Sequence, residues 1–137
     1  MKKLFIIALL FVSATAFSQK SYSIFRMQTG KYNGKSWTWA LPQDINMTVT
    51  LSGSHVFISD QADTHITTYD DLGEKADTDN DGTPYTSHSW KAYDEKNRKC
   101  LFSMQNYKEE SYLIYYIMYN DMCFRYYVSR TEVLDKF

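Results

Sequence analysis

Ile45, Met47, Val49 and Leu51 alternate with Asn46, Thr48, Thr50 and Ser52, and this period of two constrains the fold more than any other feature of the chain. Successive side chains of a strand point to opposite faces, so the alternation predicts a half-buried strand with one wet face. Ser52-Gly53-Ser54 then turns into a hairpin partner over residues 55–59. Upstream, residues 22–27 and 36–41 are β-rich runs separated by Gly30-Lys31-Tyr32-Asn33-Gly34. Pro42 ends the second run because it has no N–H to give to a ladder.

The C-terminal half continues the pattern. Residues 87–94 lead through Glu95-Lys96-Asn97-Arg98 into 99–106, and Lys108-Glu109-Glu110 turns into 111–119. Asn120-Asp121, two residues that tolerate positive φ, turns into 122–130. Residues 112–119 are apolar on both faces, which predicts a central strand covered on each side. The expected fold is all-β, an antiparallel meander of eight or nine strands. It closes into a small up-and-down, calycin-like barrel, with a two-sheet sandwich as the alternative. Closure removes the exposed edges that so many tyrosines would make hazardous.

The first 18 residues read as an address and not as part of that fold. Lys2 and Lys3 precede nine unbroken apolar residues at 4–12, and Ser13-Ala14-Thr15-Ala16-Phe17-Ser18 supplies small residues, the three-part secretory signal pattern. Nine helical residues are too short to cross a bilayer core of about 30 Å. The expected arrangement is a signal peptide at 1–18 and one β domain at 19–137, exported to the periplasm or secreted. Removal of Lys2 and Lys3 leaves 13 basic residues against 16 acidic ones. That balance provides no basic footprint for nucleic acid, and no transmembrane segment is expected in the mature chain.

Eight acids fall between residues 60 and 81: Asp60, Asp63, Asp70, Asp71, Glu74, Asp77, Asp79 and Asp81. Within them, Asp77-Thr78-Asp79-Asn80-Asp81-Gly82 spaces hard oxygens as calcium loops do. An EF-hand would need Glu at its twelfth position, which is His88 here, and an apolar residue at its eighth, which is Pro84. The expected metal set is therefore a non-EF loop of Asp77, Asp79 and Asp81 holding Ca²⁺, weighed against a solvated acidic turn. His55, His65 and His88 have no local zinc-ligand spacing. No nucleophile elbow, phosphate loop or Cys–His neighbourhood is visible, so no catalytic residue is assigned.

Seven tyrosines lie between residues 107 and 127. They pair across strands or form a contact surface, and Trp37 and Trp39, at i and i+2, share one face. The order of signal, Trp-bearing early strand, acidic loop and Trp90-x-x-x-Asp94 to Cys100 resembles small exported bacterial β-barrel-like proteins of uncharacterised role. That resemblance covers most of residues 19–137 and implies a location without an activity. Gly34-Lys35-Ser36-Trp37 has one residue more than the Gly-x-Trp signature of lipocalins, and a full strand precedes it, so no lipocalin ligand residues are carried over.

The expected function is a non-enzymatic, exported binding or interaction module with an unknown ligand or protein partner. The alternatives are a lumen binder of a small apolar ligand and a metal-dependent enzyme built on His and Asp. Inward Trp37, Trp39, Trp90 and Phe102 would fill a small barrel and so discriminate the first alternative. Convergence of two histidines and a carboxylate would favour the second.

Overall fold

The computed structural model describes residues 19–59 and 63–133. The signal-like segment at 1–18 and Asp60 lie outside them. Nine strands follow in order: β1 (Gln19–Tyr32), β2 (Trp37–Trp39), β3 (Gln43–Ser52), β4 (His55–Ile58), β5 (Thr64–Thr78), β6 (Pro84–Tyr93), β7 (Lys99–Asn106), β8 (Tyr112–Met118) and β9 (Met122–Glu132). All pairings are antiparallel. From β3 to β9 each strand pairs with the next, and β1 joins β3 on one side to β9 on the other, which closes a ring of eight strands. Among the described residues no helix is long and apolar enough to cross a membrane.

The alternation in β3 behaves as the sequence predicts. Val49 is fully buried, Ile45, Met47 and Leu51 pack against the core, and Asn46 faces solvent. The same inward face collects Ile24, Val56, Ile58, Ile66, Ala92, Phe102, Tyr115, Ile117, Tyr126 and Val128 into one cluster. In β8 the neighbours Ile114 and Tyr115 are both buried although they point to opposite faces, so this strand is covered on both sides.

Two departures from the sequence reading matter for the site. First, β2 lies outside the ring. Among the described residues it pairs only with the end of β1, through Gly30, Lys31 and Tyr32, while β1 itself runs through the expected turn. β1 pairs with β3 over residues 19–27, with a bulge between Ile24 and Arg26, and with β2 only over residues 30–32. Trp37 and Trp39 therefore sit outside, whereas Trp90 and Phe102 pack in the interior.

Second, most of the acidic stretch is strand. β4 pairs with residues 64–67 of β5, but β6 follows β5 as far as Thr78. Among the described residues, 69–78 thus carry a ladder on one side only and form the outer edge of a long β5–β6 arm. Bulges at Tyr69 and Leu72, with Gly73 at φ 86° and acids along the edge, blunt it against further strand pairing.

Candidate functional site

The arm ends beside the β7–β8 turn, and the two ends enclose a cleft of about 580 Å³. Its arm side is built by the acidic turn. The Asp79 carboxylate accepts the backbone N–H groups of Asp81 and Thr83 at 3.0 and 2.9 Å, and the Asp79 N–H donates to the Thr83 carbonyl at 3.0 Å. A short side-chain acceptor that bonds its own backbone two residues on is what makes Asp a turn former. Asp77 bonds the Thr78 N–H at 2.8 Å. Among the described residues no three His, Cys, Asp or Glu side chains gather as a metal cage. Asp77, Asp79 and Asp81 line the tip of a hairpin, with two of the three carboxylates engaged in shaping it.

The opposite wall is held by Arg130. Its guanidinium donates to the Tyr107 and Glu110 carbonyls at 2.8 and 2.9 Å and to the Asn106 side chain at 2.6 Å. Tyr85 of the arm and Tyr107 of the turn face each other with ring centroids 5.3 Å apart. Burial, then the charge and hydrogen bond of Asp79, push the Tyr107 hydroxyl up to about 12. Asp79 therefore lies near the Tyr107 hydroxyl of the facing wall. Among the described residues Asp77, Glu109 and Glu110 line the cleft against the single cation Lys108, so its rim is acidic and its wall aromatic.

The three histidines are divided between the start of β5 and its middle. At the far end from the cleft, His55 of β4 and His65 of β5 meet on the outer face, with Nδ1 of His55 2.9 Å from Nε2 of His65. Their distance in sequence hid this, because a diagonal pair across a hairpin depends on register. His88 stands apart, on β6. It bonds Asp71 at 2.6 Å and stacks on Trp90 with centroids 4.0 Å apart. The Gly73 N–H first, and then His88, hold the Asp71 carboxyl below the usual carboxylate range. This trio fixes the arm's second bulge.

Trp37 and Trp39 serve a structural stack. The Arg125 guanidinium lies 3.8 Å over Trp39 and 5.3 Å from Tyr116, and it donates to the Gln28 side chain at 2.8 Å. Gln28 in turn donates to the Ala40 carbonyl at 2.8 Å. The stack covers the outside of β1 and β9, where Cys123 is fully buried opposite Gly30. No protein-family model, curated protein or solved structure matches the chain, so what it does is read from these residues alone.

Proposed function

We propose that residues 19–137 form an exported, non-enzymatic binding module that takes a cationic segment of a partner into the cleft between the β5–β6 arm and the β7–β8 turn. The observation that carries this reading is the composition of that cleft: an acidic rim around two facing tyrosines. Such a surface supplies charge for attraction and rigid aromatic area for contact at low entropy cost. A lumen binder has less support, since Phe102, Tyr115 and Tyr126 occupy the interior and are no more than 2% exposed. The arm turn and the β7–β8 turn are held by Asp79 and Arg130, so the cleft is formed before any partner arrives.

The test is fluorescence anisotropy of a labelled Lys/Arg-rich peptide against residues 19–137. Binding should weaken with salt, because surface charge is screened over about 10 Å at 0.1 M. Reversal of two exposed charges in Glu109→Lys/Glu110→Lys should lower affinity by about tenfold, given roughly 0.2–1 kcal/mol for each exposed charge contact. Equal affinity for an uncharged peptide of the same length would refute the reading.

A further inference from the structure

β4 and β5 pair with His55 opposite Thr67 and Phe57 opposite His65, so these four side chains share one outward patch. The Thr67 hydroxyl stands 3.4 Å from Nδ1 of His55 and 3.4 Å from Nε2 of His65, while the two nitrogens are 2.9 Å apart. In that triangle the point equidistant from the three atoms lies about 1.9 Å from each. A metal–imidazole bond is about 2.0–2.1 Å long, so an ion just above the triangle is at bonding distance from all three.

We propose that His55, His65 and Thr67 form a surface site for a late divalent transition metal, zinc(II) or copper(II), separate from the acidic cleft. Imidazole nitrogens suit zinc and copper, whereas calcium and magnesium seek oxygen donors. The patch is therefore of a different chemical class from the Asp77–Asp79–Asp81 turn. Three donors on one side leave the outward positions of the ion for water or a further ligand. The donor atoms are gathered before binding, and only their direction has to change. Phe57 stacks on His65 with centroids 4.4 Å apart and 19° between planes, and antiparallel pairing fixes all three backbone positions. The Glu95 carboxylate accepts the His65 backbone N–H at 3.3 Å and brings a negative charge to the edge of the patch.

Binding requires no co-reactant. In the free pair one ring N–H donates to the facing nitrogen of the other ring. When the ion enters, that ring moves its proton to its remote nitrogen, and both facing lone pairs point to the metal. With both rings neutral no proton is released. The rings must turn so that their lone pairs converge off the N···N line, and the broad torsional well of the imidazole allows this.

The experiment titrates zinc(II), and separately copper(II), into untagged residues 19–137 while following histidine ring resonances for zinc and binding heat for both. One ion per chain is expected, with the His55 and His65 rings shifting together and His88 unmoved. His55→Asn and His65→Asn should each weaken binding by at least about tenfold, and Thr67→Val by less. Metal should raise the melting temperature of the wild type by mass action, and not that of the double variant. Full zinc affinity in His55→Asn/His65→Asn, a response of His88 alone, or no binding at millimolar zinc would overturn the proposal. If the double variant does not fold, the wild-type ring resonances decide the outcome by themselves.

Discussion

The Tyr119 hydroxyl donates to the Asp94 carboxylate at 2.7 Å, across 25 residues of chain that include β7 and β8. Asp94 is buried, at 4% exposure, and also accepts the Lys96 and Arg98 backbone N–H groups at 2.9 and 2.8 Å and the Arg98 guanidinium at 2.7 Å. One carboxylate thus organises the whole β6–β7 turn and ties it to the end of β8. It also positions that turn, from which Glu95 reaches His65.

Asp94 should dominate acid sensitivity. Burial by itself would raise its carboxyl, but the hydrogen bonds from Arg98, Tyr119 and Lys96 outweigh it and hold the group below the usual carboxylate range. A carboxyl held low in the folded state stabilises the fold above the unfolded value of about 3.9, and this is lost as pH falls through the folded value. Asp94→Ala removes the shared acceptor of four part-buried hydrogen bonds and should cost about 3 kcal/mol. Urea unfolding at pH 7 and pH 3 checks both statements, and the difference between variant and wild type should shrink at the lower pH.

Gly30→Ala should disturb the outer aromatic stack. A Cβ at Gly30 would lie 2.8 Å from Trp39 Cε3 and 2.9 Å from Cζ3, and that ring also carries the Arg125 guanidinium. The indole must move, at a cost of about 1–3 kcal/mol typical of overpacking. Tryptophan fluorescence and thermal melting should shift together; an unchanged emission spectrum would contradict the expectation.

The residues whose pattern is local were legible in the sequence, and those whose role depends on register were not. The alternation of Ile45, Met47, Val49 and Leu51 needs no partner to be read, and it placed β3 correctly. β5 escaped notice because Asp70, Asp71, Gly73, Lys75 and Asp77 have poor strand propensity and no buried face to alternate against. Their strand state comes from the β6 ladder. His55 and His65 look unrelated until the β4–β5 register is known, and the bond from the Thr83 N–H to the Asp79 carboxylate likewise depends on a turn geometry that the sequence does not display.

Both cysteines should be free and slow to react in the native state. β8 separates their strands by about 9.5 Å, beyond the 4.4–6.8 Å Cα range of a disulfide of about normal geometry. Both thiols are free. Period-2 reasoning places Cys100 inside and Cys123 outside, which suggests that Cys100 is the more buried. The order is the reverse, since Cys123 lies beneath the outer aromatic stack and Cys100 is only half-buried. Burial, then the charge of Asp94, pushes the Cys100 thiol up to about 11, and burial pushes Cys123 to about 11. Thiolate is scarce at pH 8 in either case. Iodoacetamide should label both residues in urea and label Cys100 first, slowly, in the folded protein; rapid native labelling of Cys123 would contradict its place in the fold.

Alkali should unfold the domain more steeply than its net charge implies. Burial raises the hydroxyls of Tyr115, Tyr116 and Tyr119 above the ordinary tyrosine value of about 10, and burial with Asp79 takes Tyr107 to about 12. A group whose folded value is raised stabilises the fold fully below its unfolded value, and that stability is lost as pH rises toward and through the folded value. Stability should therefore hold up to about pH 10 and fall beyond it, as the unfolded chain releases protons that the folded chain retains. Tyrosinate absorbance should appear in two stages, exposed rings first and these four on unfolding. Tyr107→Phe, which cannot ionise, should flatten the loss of melting temperature between about pH 10 and 12. A single absorbance step near pH 10, without loss of structure, would show that these rings are open to solvent and that the strands do not close around them.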